Sequence, residues 1–477
     1  MNTLKISKRF RGWTIVLICL FIFVSISCKD DDPAPAVNED DIYVNNWILE
    51  NMDYSYYWTN ELPESPDKNT DPSSFFEGLL ADDDRFSWIE DNYVELLNSL
   101  QGINKEAGFE FVLYRESETN NNVIAQILYI KPDSPAEDAG LKRGDVITRI
   151  NNQQITVDNY RDLLDAMDKN YTITYQPFLV EEQDFDATVT KSLNPVEYHE
   201  DPVFLHSIIN ADDRKIGYFV YNFFAVGTED NETKFNDEVD AVFSDFQSQG
   251  ITDLVLDLRF NSGGSETATQ NLASLIAPGV NTTKTFCKRE YNEQVTNDIL
   301  NDPDAGEEFL TTKFLNKTAN IGNLLNGHIY ILTSSRTASA SELIINGLKP
   351  YMDVFLIGDV TYGKNVGSIS IFEENDPKNT WGMQPIVVKV FNSQDQSNYS
   401  AGFTPDILNE DNSVNIYPLG DTRENLLSEA IDQITGASGG RKATSKESRR
   451  KLVGHSLDLK RRGFDLIVET PHTERSR

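Results

Sequence analysis

Residues 329–364 read IYILTSSRTASASELIINGLKPYMDVFLIGDVTYGK, with two apolar runs on either side of a helix-forming segment. The runs 329–334 and 354–358 are short and mostly apolar, which is typical of buried strands. The segment 341–348 between them is predicted to be a helix. A strand, a helix and a second strand in this order favour a parallel pair of strands with the helix packed across it.

The same alternation of strands and helices extends over residues 191–436. Further strands are predicted at 216–224 and 254–258, and a further helix at 271–277. Between the first two strands, five apolar side chains follow helical spacing, namely Phe235, Val239, Val242, Phe243 and Phe246. We therefore predict an α/β protein, α+β and multidomain in detail, with a mostly parallel sheet and helices packed on it.

Two reactive side chains follow the strands of the quoted segment. Ser339 follows the first strand and opens the helix, where backbone N–H groups and the helix dipole favour developing negative charge. Lys364 follows the second strand. Because the carboxyl ends of parallel strands meet at one edge of the sheet, where α/β sites usually form, the two residues are predicted to lie close together. The alternative for each residue alone is structural: a helix N-cap for Ser339 and a surface turn for Lys364.

A glycine pair follows another predicted strand at the same edge. Residues 257–264 read DLRFNSGG and end in Gly263 and Gly264. Without a Cβ atom, paired glycines let backbone N–H groups approach a ligand closely, as an oxyanion hole requires. This segment is therefore a candidate for stabilising negative charge beside Ser339.

Other catalytic and metal-binding motifs are missing from the sequence. There is no GxSxG motif, and residues 358–364 (GDVTYGK) resemble a phosphate-binding loop but are followed by Asn365, not Ser or Thr. The three Cys and five His residues have no spacing typical of a metal site. We therefore predict neither a metal nor a cofactor.

Residues 105–185 contain short β-like runs, and 132–145 read PDSPAEDAGLKRGD. This segment resembles a PDZ domain. The resemblance implies a module that adds a peptide strand to its sheet edge and holds the peptide's C-terminal carboxylate in a loop, here placed at Ala107, Gly108, Phe109 and Glu110. The alternative is a β-rich packing domain without affinity for peptides.

Residues 41–436 together resemble the C-terminal processing (tail-specific) serine peptidases. The resemblance consists of five features in this order: a helical unit at 41–104, the PDZ segment, DLRFNSGG at 257–264, SASE at 339–342 and GKNVG at 363–367. It implies a core like those of crotonase and Clp protease. It also implies a Ser–Lys dyad, here Ser339 and Lys364.

Further roles follow from the same resemblance. The oxyanion donors would be the backbone of Gly263 or Gly264 and of Ala340. Burial disfavours the charged form of a lysine, so an uncharged lysine would serve as the base. Many members place Gln four residues after the lysine to orient it, where this chain has Ser368. Glu342 is a second candidate for tuning the site, with a plain position on the helix surface as the alternative.

The beginning of the chain resembles a lipoprotein signal. Basic residues precede an apolar run at 13–24, which is too short to span a bilayer, and a small-residue segment ends at Cys28. We predict lipidation of Cys28, a tether at 29–40 and an exported protein anchored to the outer membrane, on its periplasmic or cell-surface face. The alternative is an ordinary cleaved signal peptide.

Charge is unevenly distributed along the chain. The net charge is −34, with +4 in residues 1–28 and +6 in residues 437–477, which leaves −44 for residues 29–436. Such an acidic body argues against nucleic-acid binding. The basic segment 437–477 is predicted to be disordered, with contact to an anionic membrane as the alternative.

The predicted function is that of a serine endopeptidase that cleaves exported proteins or peptides and recognises substrate C-termini through the PDZ domain. Two alternatives are a non-catalytic envelope protein that binds peptides or lipids on the same scaffold, and an envelope scaffold that works through the PDZ domain alone. The sequence leaves the oligomeric state open.

Overall fold

A computed structural model describes residues 38–411, 416–437, 451–459 and 466–468. The predicted signal segment, the lipidation site Cys28 and almost all of the tether lie outside these residues. Among the described residues, none of the helices is both long enough and apolar enough to cross a membrane.

The first unit is mainly helical and packs on the domain that follows the PDZ segment. Its elements are α1 (Glu39–Ser55), α2 (Pro72–Glu77), β1 (Trp88–Glu90), α3 (Tyr93–Leu100) and β2 (Ile103–Glu106). Aromatic and aliphatic side chains of α1 and α2, including Trp47, Met52 and Phe76, form its core. The backbone N–H of Tyr57 donates to the carbonyl of Ile386 at 2.8 Å, which fixes the unit against the later domain.

The PDZ segment is an antiparallel sheet with two short helices. Its elements are β3 (Phe109–Arg115), β4 (Val123–Ile130), α4 (Pro135–Asp138), β5 (Val146–Ile150), β6 (Gln153–Gln154), α5 (Tyr160–Asp165), β7 (Tyr171–Gln176), β8 (Phe178–Leu179), β9 (Asp184–Phe185) and β10 (Val189–Leu193). The short β-like runs expected within residues 105–185 include β3, β4 and β5. Their alternating buried side chains form a separate core.

Most of the remaining elements build two six-stranded sheets and their helices. In chain order, the remaining elements are β11 (Val196–His199), β12 (Val203–Ala211), β13 (Arg214–Tyr221), α6 (Lys234–Gln249), β14 (Asp253–Asp257), β15 (Gly264–Ser265), α7 (Glu266–Ile276), β16 (Thr285–Tyr291), α8 (Glu293–Asn301), β17 (Thr311–Lys313), β18 (His328–Thr333), α9 (Ala340–Leu348), β19 (Asp353–Gly358), β20 (Val366–Ser368), β21 (Ile371–Phe372), β22 (Gly382–Gln384), β23 (Ile386–Asn392), β24 (Ile407–Leu408), α10 (Asn425–Thr435), β25 (Leu452–His455) and β26 (Leu466–Ile467). Strand β11 pairs with β2, β21 and β22 form a sheet with β1, and β25 joins the PDZ sheet, so these strands lie outside the two six-stranded sheets.

The first of these sheets has the order β12-β13-β14-β18-β19-β24. Helices α6, α7 and α9 contribute to the core on one face, and α10 contributes to the core on the other. Strands β14, β18 and β19 are parallel and in register, with Asp257 opposite Leu332 and Thr333 opposite Gly358. Their carboxyl ends therefore meet at one edge, which positions the loops that follow them.

The prediction of a mostly parallel sheet is wrong for the protein as a whole, because its sheets are mostly antiparallel. The PDZ sheet pairs antiparallel throughout, and β16 and β20 both pair antiparallel with β23. Strand–helix alternation indicates parallel neighbours, but it carries no signal for pairing between strands that are distant in sequence, such as β16 and β23. The resemblance of the core to crotonase and Clp protease stays a prediction.

The segment predicted to be disordered contains ordered parts. Strand β25 joins the edge of the PDZ sheet beside β3, and β26 lies between β15 and β20 in the second six-stranded sheet, whose order is β15-β26-β20-β23-β16-β17. The prediction rests on the basic, polar composition of 437–477 as a whole. It does not consider two short runs, LVGH and LIV, whose backbones pair with strands of other parts of the chain.

A buried arginine fixes the loop after β14. The guanidinium of Arg259 lies 2.8 Å from Asp257, 2.8 Å from Asp411 and 2.7 Å from Glu424, and only 1% of its side chain is exposed. Ser334, which follows β18, donates its hydroxyl to the Arg259 carbonyl at 2.5 Å. Arg259 therefore joins the sheet edge to α10 and to the loop that carries Ser339.

We predict that Arg259→Met lowers the free energy of unfolding by about 3–5 kcal/mol, because it leaves the buried Asp257 carboxylate without its cation and leaves Asp411 and Glu424 only the more distant Arg143. The measurement is chemical denaturation of both proteins at the same pH. The matched control is Arg423→Met, which removes a 47% exposed arginine paired with Asp421 and Glu181 and is expected to change stability little. Equal stability of the two variants would contradict the assigned role of Arg259.

Candidate active site

Three loops converge at the carboxyl ends of β14, β18 and β19. They carry the glycine pair Gly263 and Gly264, Ser339 and Lys364 in that order. Hydrogen bonds join the first two loops: Thr337 donates its hydroxyl to the Leu258 carbonyl at 2.9 Å, and Ser341 donates its hydroxyl to the Asn261 carbonyl at 3.0 Å. The structure thus brings the residues predicted from separate motifs to one sheet edge.

Ser339 has an unusual backbone conformation. It occupies the N-cap position of α9 with φ 58° and ψ −113°, in a region that residues with a Cβ atom rarely adopt. Such strain costs of the order of 1–3 kcal/mol and is concentrated at functional sites. The strained turn therefore marks Ser339 as a candidate functional residue.

The hydroxyl of Ser339 is buried without a hydrogen-bond partner. The residue is 0% exposed, and among the described residues no group bonds to its Oγ atom. Ser339 nevertheless occupies the N-cap position of α9 in a capping-box arrangement, in which its N–H donates to the Glu342 side chain. Leaving a buried hydroxyl unpaired is unfavourable, which is consistent with a group kept available for a reaction.

Glu342 connects the Ser339 and Lys364 loops through four hydrogen bonds. Its Oε2 atom accepts from the backbone N–H of Ser339 at 2.9 Å and from that of Lys364 at 2.8 Å. Its Oε1 atom accepts from the Gly363 N–H at 2.7 Å and from the Thr361 hydroxyl at 2.6 Å. Because one carboxylate oxygen binds both N–H groups, the backbones of Ser339 and Lys364 lie side by side.

Burial raises the pKa of the Glu342 carboxyl above its ordinary value, although these four hydrogen bonds act in the opposite direction. The sequence suggested only that Glu342 tunes the site, with a surface position as the alternative. The structure instead shows a fully buried side chain. Thr361, which sequence reasoning missed, lies three residues before Lys364 and could have been suspected only from its place in that loop.

Lys364 is buried, which excludes the surface turn considered as its alternative. It is 1% exposed, and its Nζ atom lies 5.1 Å from the centre of the Phe86 ring. Arg85 donates to the Gly363 carbonyl at 3.1 Å. Both Phe86 and Arg85 belong to the N-terminal unit, so this unit helps to enclose the lysine, a contact that nothing in the local sequence indicated.

The predicted oxyanion donors are not equivalent. The N–H of Gly263 already donates to the Asn261 side chain at 2.9 Å, so Gly263 is not available in this arrangement. Gly264 has φ 131°, and a Cβ atom there would lie 2.1 Å from the Phe224 carbonyl oxygen, which requires glycine. Ala340 is the first residue of α9, so its N–H has no acceptor within the helix. Gly264 and Ala340 remain the candidates.

Ser368 ends β20 and is 0% exposed. Its carbonyl oxygen accepts from the backbone N–H of Val468 at 3.1 Å. The residue therefore lies on the strand that follows Lys364, within the same sheet as Gly264. Its role in orienting the lysine stays a prediction.

The predicted peptide-binding loop, Ala107 to Glu110, presents a buried carboxylate as well as backbone groups. Glu110 is 0% exposed and shares the ammonium of Lys131, at 3.1 Å, with Glu106 and Glu200. Burial lowers the pKa of Lys131, but the three carboxylates outweigh it and hold that pKa well above the ordinary value. The three glutamates, which have the donor geometry of a cation site, therefore surround an ammonium group.

Comparison with known families agrees with this architecture. The model of peptidase family S41 matches residues 215–408, that of the peptidase S41 N-terminal domain matches 43–88, and a PDZ domain model matches 126–176. The chain therefore carries a peptidase S41 domain, an S41 N-terminal domain and a PDZ domain, which confirms the resemblance found in the sequence.

Similar proteins include CtpA-like serine proteases of staphylococci. The one from Staphylococcus epidermidis is 23% identical over 328 residues, which are 67% of this chain and 57% of the relative. The one from Staphylococcus aureus is 28% identical over 287 residues, which are 58% of this chain and 50% of the relative. This chain thus spans little more than half the length of these relatives.

One solved structure is similar over most of its length. An S41 protease from Bacteroides fragilis superposes with a TM-score of 0.69 and 28% identity, covering 82% of this chain and 97% of that one. The likeness therefore extends over most of this chain and nearly all of that structure.

We predict that Glu342→Gln destabilises the protein and impairs the site, because an amide nitrogen cannot accept the hydrogen bonds that one carboxylate oxygen accepts. Each buried donor left unpaired costs about 1–3 kcal/mol. The measurement is thermal unfolding together with the hydrolysis of an unstructured protein. Glu293→Gln, at an exposed position of α8, is the matched control. Unchanged stability in Glu342→Gln would contradict the connecting role.

Proposed function

We propose that the protein is a serine endopeptidase with Ser339 as the nucleophile and Lys364 as the general base. The observation that supports it best is the pairing of a strained serine, whose buried hydroxyl has no partner among the described residues, with a buried lysine held beside it by Glu342. A capping role alone does not account for Ser339, and a surface turn does not account for the buried Lys364. The S41 and PDZ domains support the same class of reaction.

In the proposed mechanism, the Ser339 oxygen attacks the carbonyl carbon of the scissile peptide bond while the uncharged Lys364 amine takes the hydroxyl proton. The N–H groups of Gly264 and Ala340 stabilise the negative oxygen that forms. The lysine then gives its proton to the leaving amine, and the C–N bond breaks. Water then attacks the carbonyl carbon of the resulting ester while the lysine takes its proton. The C–O bond to Ser339 breaks, the lysine returns the proton to the serine oxygen, and the second product leaves.

The buried environment has a function in this mechanism. Removal of water strengthens hydrogen bonds to developing charge. The side chains of Phe86 and Tyr362, whose ring centres are 6.0 Å apart, contribute to such an enclosure. The N-terminal unit would therefore assist catalysis by excluding solvent from Lys364.

Substrates are proposed to be exported proteins or peptides whose C-terminal segments add a strand to the PDZ sheet beside β3. We also propose that the chain is exported and lipid-anchored through Cys28 to the outer membrane, at the periplasmic or cell-surface face. No cofactor or nucleic acid enters this proposal. A crotonase-like core is the fold we expect for the peptidase domain.

We predict that Ser339→Ala removes cleavage of a casein-like, unstructured protein without loss of folding, and that Lys364→Met slows it by at least about 100-fold, the range of a lost general base. Product analysis by mass spectrometry measures both effects. Ser244→Ala and Lys378→Met, at exposed positions, are the matched controls. Full activity of Ser339→Ala would refute the nucleophile, and a folded, inactive wild type that binds peptides would favour a non-catalytic binding protein.

Lipidation is tested separately. In a Gram-negative expression host fed with labelled palmitate, the wild-type chain should incorporate label and Cys28→Ser should not, because only the thiol can carry the lipid. Cys287→Ser, which removes a buried cysteine, is the control. Incorporation that persists in Cys28→Ser, or no incorporation in the wild type, would rule out the proposed anchor.

A further inference from the structure

Residues 452–455 of this chain, which are β25, form a strand on the edge of the PDZ sheet, and a 3-10 turn follows at 456–459. The Arg115 N–H donates to the Lys451 carbonyl at 2.9 Å, and β25 continues antiparallel to β3, with Leu452 opposite Tyr114 and His455 opposite Val112. The segment therefore runs from the far end of β3 towards the loop Ala107 to Glu110. This is the edge on which a bound peptide strand is expected.

The end of this segment is anchored at the loop by specific contacts. The Ser456 hydroxyl accepts from the Phe111 N–H at 2.9 Å and donates to a carboxylate oxygen of Glu110 at 2.6 Å. Ser456 is 4% exposed and Leu457 is 5% exposed. By contrast, Leu452 at the beginning of β25 is 61% exposed. The contacts thus concentrate at the position where a ligand end would be held.

A second part of the same region reaches the candidate active site. Strand β26 pairs with β15, with Leu466 opposite Gly264, and with β20, with Ile467 opposite Ser368. The Val468 N–H donates to the Ser368 carbonyl at 3.1 Å, and Val468 is 4% exposed and packs in the main core. Strand β26 therefore lies between the strand of the glycine pair and the strand that follows Lys364.

These two positions are where an extended substrate would pair. Adding a strand to an exposed sheet edge is a general mode of peptide binding, and both edges are already occupied by this chain. In the same structure Ser339 is 0% exposed and Lys364 is 1% exposed. Among the described residues, β25 therefore occupies the PDZ edge beside β3, and the two residues of the proposed dyad are shielded from solvent.

We propose that residues 451–459 and 466–468, here called the strap, are an intramolecular competitor that occupies the peptide-binding edge of the PDZ domain and the substrate edge beside Gly264. The second half of this inference rests on the proposed peptidase function. A competitor within the same chain has an effective concentration in the millimolar range. Substrates at micromolar concentration must therefore displace the strap before they are cleaved.

The test uses a fluorescent peptide of sequence KLVGHSLDL, which corresponds to residues 451–459, and full-length variants that weaken the strap. Leu457→Asp places a charge at a buried position, and Ser456→Ala removes both hydroxyl contacts. Leu452→Asp changes the same residue type at an exposed position of the same segment and is the matched control. Circular dichroism checks that each variant is folded.

We expect the peptide to bind Leu457→Asp at least ten-fold more tightly than the wild type, with Ser456→Ala in between and Leu452→Asp like the wild type. The value of kcat/KM for an unstructured protein should rise in the same order. Equal peptide affinity for all four proteins, or no binding to any of them, would overturn the proposal.

The two readouts separate this inference from the proposed function. If peptide affinity changes as expected but no variant cleaves protein, the peptidase assignment fails and the occupied PDZ edge stands. If all variants cleave at the same rate and bind the peptide equally, the peptidase assignment stands and the strap fails. Should Leu457→Asp not fold, Ser456→Ala against Leu452→Asp decides the question.

Discussion

The carboxylate of Glu342 is the interaction on which the candidate site depends. One of its oxygens binds the backbone N–H groups of both Ser339 and Lys364, and the other binds the loop immediately before the lysine. Burying a carboxylate is unfavourable unless its oxygens are fully hydrogen-bonded. The four donors therefore stabilise the buried Glu342 side chain, and the carboxylate in turn satisfies those four buried donors. The strained turn at Ser339 persists because this network holds the backbone of Ser339 and the adjacent loop of Lys364 in place.

The sheet supplies the frame for that network. Parallel, in-register strands β14, β18 and β19 end together, and buried Arg259 ties the first loop to α10 and to the loop of Ser339. The N-terminal unit then places Phe86 over Lys364. Residues from three parts of the chain thus contribute to one enclosed site. In our proposal, peptides pair with sheet edges that the strap occupies in this structure.

Much of this was predictable from the sequence, for identifiable reasons. The runs at 254–258, 329–334 and 354–358 and the helix at 341–348 have strong local patterns, and the loops after them carry Gly264, Ser339 and Lys364. The mostly antiparallel pairing, the contact of Phe86 and the ordering of β25 and β26 were missed, since each depends on partners far away in sequence. The hydrogen bond from the Gly263 N–H to the Asn261 side chain could not be predicted either, because both residues belong to the same motif and the motif does not show which N–H groups stay available.

The central claim is that Ser339 is a nucleophile activated beside Lys364, and covalent labelling tests it most directly. Wild-type protein and Leu457→Asp are incubated with a fluorophosphonate, which modifies activated serines, and the labelled peptide is located by mass spectrometry. The account predicts one modified residue, Ser339, with faster labelling in Leu457→Asp and none after Lys364→Met. Label on another serine, or a folded protein that takes up no label in either form, would contradict it.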